Sequence, residues 1–576
     1  MVLRWGWRNR LSTTDRTRIV PQTTASDVQA PASAAKAAAP AGVTAATRVD
    51  RSARSHSSHA GRAPRSTGAI DLARMTSTTV NETVAGRPGL ARELGLVALT
   101  ATGIASMVGA GINIIPFMIQ RNVPGIGAWV LPAFLFAAVP AFFAGLAYAI
   151  LASAMPRAGG SYVFATRGLN PYLGFIASFS QWFALCVAIG VVSYVLVPFL
   201  RDIATAASMP AAAATLESGT LRLAIPLAVL WLFALVNVLG VKSYERILVP
   251  LLGLTFVLGG VVIVAGFLFD HADFARAVLA KEGRAMPVQT GSVMTLRVFM
   301  TSATVLFSGY IGFDAIAQAG GEAKDPSRTL PLAIGLAILC AGVFYMLFAA
   351  AVYHAVPWQY VAEQSAVRTV NAPGLLGYLL PSGWTVVIVA GGAVALAKDV
   401  PAMLLSVSRL MFAWAEDGIV PGSVARLNAR YRTPHVAIIV STLVATVAII
   451  GCHLAGDFFL GVDILVTSML ANYLLMCVTV LTLPSRNPAL AGEVRVLPNR
   501  QAQVAVSLIG IVALGAFFAV HTWKDLTAPA AAWYFRSTPV WFLVLVIASV
   551  IYFREIASMR RRGVNVDALF ADLPTD

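Results

Sequence analysis

From Leu94 onward the sequence passes through twelve apolar stretches, near residues 94–119, 126–153, 171–200, 222–240, 246–269, 293–319, 330–353, 384–412, 434–452, 459–483, 503–521 and 539–555. Most are about the length that crosses a bilayer, and polar breaks separate them. Charged residues make up only 12% of the 576 and hydrophobic ones 58%, whereas roughly one quarter of a soluble domain is charged. The chain is therefore expected to be an all-α polytopic membrane protein with twelve transmembrane helices, and the lipid bilayer is its first partner.

Lys plus Arg number 42 against 27 Asp plus Glu. A basic patch on a soluble domain would suggest nucleic acid, but this excess is spread over short loops and a long amino-terminal tail, so no nucleic-acid partner is expected. An even number of spans puts both termini on one side, and the basic tail with Arg157, Arg426, Arg430, Arg432, Arg486, Arg495, Arg500 and Arg560 to Arg562 assigns that side to the cytoplasm of the cell membrane. Residues 1–93 are rich in Ala, Ser, Thr, Pro and Arg and are expected to be disordered. No secretory signal is visible there, and Met75 offers a second start shortly before the first span. Cys186, Cys340, Cys452 and Cys477 are isolated in or beside apolar runs and read as packing residues, and no metal site or cofactor is expected.

Inside the first apolar run lies SMVGAGINIIPF, Ser106 to Phe117. Small residues in mid-membrane let helices approach closely, which by itself explains Gly109, Ala110 and Gly111. A second interruption alters that reading. The sixth run carries FSGYIGFDAIAQAGGEAKDP, with Ser308, Gly309, Gly312 and Asp314 within it. Five spans separate the two, so they hold matching positions if spans one to five and six to ten repeat one unit, and matched breaks point to a transporter's binding site. An unwound stretch bares peptide NH groups that attract a carboxylate and carbonyls that accept from an ammonium, a pairing suited to an α-amino acid. Glycine lets backbone and ligand come close. Pro116 falls where the helix resumes, a place that tolerates its missing NH.

Four segments together resemble the amino acid–polyamine–organocation transporter family: VGAGINIIP; MPRAGGSYVFATRGLNPYLGF, Met155 to Phe175; GFDAIAQAGGEAKDPSRTLPLAI, Gly312 to Ile334; and SRLMFAWAEDGIVPGSVARLNARYRTP, Ser408 to Pro434. The resemblance covers about residues 90 to 560. It implies a transport core over 94–483, made of two inverted five-helix repeats (94–269 and 293–483) with discontinuous helices 1 and 6, two extra helices over 503–555 and a cytoplasmic tail over 556–576. It also implies alternating access around a central amino acid site. By position, Gly109, Ala110 and Gly111 would hold the substrate carboxylate. The backbone near Phe307, Ser308, Ile311 and Gly312 would meet its amino group, and Phe307 or Tyr310 would close over it. Asp314 stands where many relatives have a Glu discussed in gating or proton coupling, and Asn113 takes a place that relatives usually give to an apolar residue.

Lys398 and Asp399 lie near the middle of the eighth span. Ionised groups there are costly, so they face the protein interior and pair. In sodium-coupled relatives hydroxyls on this span help hold the ion, yet Ala390 to Met403 contains no Ser or Thr. Two readings stand side by side. Either the Lys398 ammonium takes the cation site, making coupling proton-driven or by exchange, or an ion pair of Lys398 with Asp314 or Asp399 only fixes helix packing. Arg157, Glu322, Lys324, Asp325 and Arg328 read as an inner gate of ion pairs. His354, His453, His521 and Asp463 read as interfacial. Trp182, Tyr194 and Asn113 are candidates for the side-chain pocket. Without a phosphate-cradling loop or a catalytic cluster, a secondary transporter is preferred over a pump, an enzyme or a sensor. Its expected substrate is an amino acid, neutral or aromatic rather than cationic, with polyamines or other organic cations of the same family as the alternative. Oligomeric state is open.

Overall fold

The computed structural model describes residues 90–573 apart from 218, 288–293, 456–457 and 530–531. The expectations for the tail before residue 90, Met75 included, lie outside the described residues. Among those described there is no strand, and twelve helices are long and apolar enough to cross a membrane. They run Leu96–Asn113, Gly127–Ala154, Pro171–Ala206, Gly219–Val238, Val241–Leu268, Leu296–Gln318, Pro326–Ala355, Ser382–Glu416, His435–Ala455, Phe459–Arg486, Arg500–Thr527 and Ser537–Arg561, and are called spans one to twelve below. A helical span satisfies its own peptide groups, which lipid cannot do for it.

Burial ranks the spans. In the third span 83% of the most apolar stretch is buried, in the fifth and twelfth only 22%. Spans one, three, six, eight and ten thus form the interior, and spans four, five, eleven and twelve turn Leu235, Val257, Val512 and Phe553 outward. Such outward apolar surface is what a lipid-facing helix requires.

The loop ahead of the third span explains its glycines. Gly159 and Gly160 have φ of 90° and 31°, and a Cβ on Gly160 would come within 2.8 Å of the Ala317 carbonyl carbon. The left-handed turn brings the short helix Gly160–Gly168 against the sixth span, where Gly159 NH donates to Gln318 O at 3.1 Å. At the same end of the bundle, the chain entering the first span is joined to the loop after the sixth. Leu94 NH donates to Glu322 O at 2.9 Å and Lys324 NH to Leu94 O at 2.8 Å.

Candidate functional site

Both sequence-marked interruptions are present. The first span is helical over Leu96–Met107, breaks at Val108 and Gly109, makes one turn over Ala110–Asn113 and resumes over Ile115–Asn122 with Pro116 in its first turn. The sixth is α-helical over Leu296–Leu306, tightens to a 3₁₀ turn over Phe307–Tyr310, extends through Ile311 and Gly312, and resumes over Asp314–Gln318. The breaks touch. A Cβ on Gly111 would lie 2.9 Å from the Gly309 Cα, and one on Gly312, whose φ is +134°, would lie 2.5 Å from Ser106 O. Glycine is needed at both positions because backbone meets backbone there.

Between the breaks lies a cavity of about 50 Å³, bordered by Ser106, Ala110, Gly111, Ser308, Ile311 and Asp399 and walled by aliphatic side chains of spans three and ten. Lys398 reaches the broken first span from span eight. Its Nζ donates to Ala105 O at 3.2 Å, to Val108 O, and to Asp399 Oδ1 at 3.0 Å. These carbonyls are bared because the helix stops at Met107, so no later turn uses them all. The ammonium is fully buried, and carbonyl and carboxylate partners are what a buried cation demands. Asp399 Oδ2 in turn accepts from Ala110 NH at 3.4 Å.

Asp314 belongs to a separate cluster beyond the sixth-span break. Tyr473 OH donates to its Oδ1 at 2.7 Å and Gln181 Nε2 to its Oδ2 at 2.6 Å. Asn472 donates to Gln181 Oε1 at 3.1 Å and to Tyr148 OH at 2.8 Å. The ion pair of Lys398 is therefore with Asp399, and Asp314 is held by neutral donors.

At the end carrying both described termini, the interior charge pairs differ from those the loops suggested. Glu322 is fully buried and pairs with Arg409 of span eight, Nε to Oε2 at 3.2 Å and Nη2 to Oε1 at 2.5 Å. Arg157 packs by its backbone: a Cβ on Gly320 would lie 2.5 Å from Arg157 O. Lys324, Asp325 and Arg328 are exposed, and Asp325, at φ 46°, starts span seven. A second buried pair joins Arg167 to Asp417 in a fork of 2.6 and 2.8 Å, with Tyr162 OH donating to Asp417 Oδ2 at 2.6 Å. The carboxyl-terminal segment closes over this pair. Arg167 Nε donates to Asp572 O at 3.0 Å, and its guanidinium lies 5.5 Å from the Phe570 ring centre.

The structure thus brings Ala110, Gly111, Ser308, Ile311 and Asp399 to one cavity, with Gly109 and Lys398 behind Asp399. It turns other candidates elsewhere. Asn113 donates to Gly109 O at 3.0 Å, bracing the break. Phe307 packs on Tyr473 and Phe517, and Tyr310 donates to Phe134 O at 3.2 Å. Gly312 serves the crossing of the two spans. Trp182 donates to Ser441 at 3.0 Å, Tyr194 stacks under Arg222, and Asp463 pairs with Lys524 at 3.1 Å. Among the described residues no cluster of His, Cys, Asp and Glu could hold a metal ion. Sequence reasoning missed Arg409, Arg167, Asp417, Gln181 and Tyr473. The charged three of these stood inside quoted motifs, yet their partners lie far away along the chain.

Twelve spans, two of them broken and meeting at an interior cavity, define a polytopic membrane transporter. The amino acid permease family model matches residues 94–548, and the chain belongs to that family, within the amino acid–polyamine–organocation transporters. It is similar to the branched-chain amino acid permease BcaP of Bacillus subtilis, 27% identical over 364 residues, 61% of this chain and 73% of that one. The methylthioribose transporter of the same bacterium is 22% identical over 480 residues, 81% and 94% of the two chains. A vacuolar cationic amino acid transporter 4 of Arabidopsis thaliana is 26% identical over 353 residues, 60% and 56%.

Proposed function

We propose that the protein is a secondary active transporter that moves amino acids, or amines related to them, across the cytoplasmic membrane by alternating access, with both termini in the cytoplasm. One observation carries this reading: the two broken spans meet at a single cavity, and the Lys398 ammonium rests on the carbonyls that one break sets free. A tethered ammonium on those carbonyls takes the place that a mobile cation would need, so coupling is by protons or by exchange and not by sodium. The buried pairs Glu322–Arg409 and Arg167–Asp417 serve as the cytoplasmic gate. The relatives are named for branched-chain amino acids, methylthioribose and cationic amino acids, so likeness alone does not select the side chain.

Flux in proteoliposomes tests the proposal. Saturable uptake should be unchanged when potassium replaces sodium, should respond to a proton gradient or to a counter-substrate inside, and should vanish in Lys398→Ala. A sodium requirement removes the tethered-cation mechanism, and saturable binding without flux replaces the transporter with a sensor.

A further inference from the structure

Spans two and seven leave a long groove on the outside of the bundle, about 1130 Å³ in volume. Its walls are hydrocarbon, with Leu135, Phe142, Leu339 and Val343 all exposed. Glycine widens it: a Cβ built on Gly335 or Gly342 of span seven meets nothing within 4 Å. The groove exceeds the roughly 300–1,000 Å³ of a small-molecule pocket, and hydrocarbon walls open to the outside of a spanning bundle face lipid tails. On its inner side it reaches Tyr310, in the 3₁₀ turn of the broken sixth span.

One end of the groove is basic. Arg328, in the first turn of span seven, and Arg495, in the loop before span eleven, both border it. Both are exposed, and Arg495 Nη1 donates to Ser327 Oγ at 3.3 Å, which ties its loop to the start of span seven. Among the described residues no acid pairs with either guanidinium. Two such groups at the membrane end of an apolar groove suit a phosphodiester, whose oxygens accept paired N–H donors from arginine. Basic pockets between membrane helices bind anionic lipid head groups for this reason. The length agrees. From Arg328 to Gly342 the helix rises by about 21 Å at 1.5 Å per residue, half of the roughly 40–45 Å of a bilayer counted with its head groups. A lipid with its phosphate at the arginines would end its tails beside the open glycine.

We propose that this groove binds one anionic phospholipid of the leaflet at the end carrying both described termini, its phosphate between Arg328 and Arg495 and its tails along span seven. The site stands apart from the cavity between the two breaks and does not depend on what that cavity carries. Native mass spectrometry of the purified full-length protein, titrated with phosphatidylglycerol or with phosphatidylcholine of identical chains, tests it. Phosphatidylglycerol should be retained at least about tenfold more tightly. Arg328→Gln and Arg495→Gln should each weaken its retention about fivefold, or about 1 kcal/mol, and leave phosphatidylcholine unchanged. Gly342→Leu, whose side chain grows into the groove, should release both lipids without lowering the melting temperature, since leucine is the better helix former. Equal retention of the two lipids, or phosphatidylglycerol unmoved in the double arginine variant, overturns the proposal. A preference that survives Gly342→Leu puts the lipid elsewhere and overturns the site, and a dimer that Gly342→Leu dissolves gives the groove to a second copy of the chain instead.

Discussion

Gly111 and Gly309 meet where the two broken spans cross, so closely that a methyl group on the first would lie 2.9 Å from the Cα of the second. The contact is backbone against backbone, and neither side has a flexible end to move aside. A single added carbon must push the two breaks apart.

Gly111→Ala is accordingly expected to lower stability by about 1–3 kcal/mol, the usual cost of overpacking. Gly312→Ala adds a left-handed φ to a 2.5 Å approach to Ser106 O and should cost more. Thermal unfolding in detergent and initial uptake rates check both. Wild-type melting in either variant would show that the spans do not touch as described.

The Glu322–Arg409 pair is fully buried, so removing one partner strands the other charge. Glu322→Leu or Arg409→Met alone should destabilise the protein by about 3–5 kcal/mol, while Glu322→Leu combined with Arg409→Met should recover much of that loss. A double-mutant cycle in melting temperature measures the coupling, and additive losses would refute it.

Asp314 receives neutral donors from Tyr473 and Gln181. Tyr473→Phe deletes one of them beside a buried acid and is expected to cost about 1–3 kcal/mol, the penalty for leaving a buried polar group short of a partner. Because Asp314 and Lys398 do not pair, Asp314→Asn combined with Lys398→Ala should show additive effects on melting. A large coupling energy would contradict the two-cluster arrangement.

At the opposite end, Tyr360 OH and Tyr378 OH both donate to Glu282 Oε1 at 2.7 Å, and Arg284 reaches Oε2 at 2.6 Å. Burial pushes this carboxyl up, but the two phenols and the guanidinium outweigh it and hold it below the ordinary 4.5. A depressed carboxyl stabilises the fold above its unfolded value, and the benefit is lost as pH falls through the folded value. The melting difference between wild type and Glu282→Gln should therefore be full near neutral pH and shrink below about pH 4. A difference that stays constant down to pH 3 would exclude the charge as its source.

The span count was legible because a bilayer imposes one length on every crossing, and the two breaks were legible because glycine-rich interruptions recur at matching positions five spans apart. Helix rotation was not. Tyr310 and Ile311 are neighbours in sequence, yet Ile311 borders the cavity while Tyr310 bonds to Phe134 O. Asn113 stood beside the expected carboxylate seat and turned inward to Gly109 O because an amide in an apolar span takes the nearest acceptor. Arg167 with Asp417 and Arg409 with Glu322 were out of reach for a different reason. Their separations of 250 and 87 residues are closed only by the packing of spans three, six and eight, and no local pattern records that closure.

The two backbone hydrogen bonds between Leu94 and the segment Glu322–Lys324 yoke the near ends of the broken helices. Because they involve main-chain atoms only, substitution of the side chains leaves the yoke intact. Under the proposed alternating access, a swing of the first broken helix would drag its counterpart along, with the glycine crossing as the fulcrum. A spin label on each arm near this end would report a distance that stays fixed while both move against the rest of the bundle.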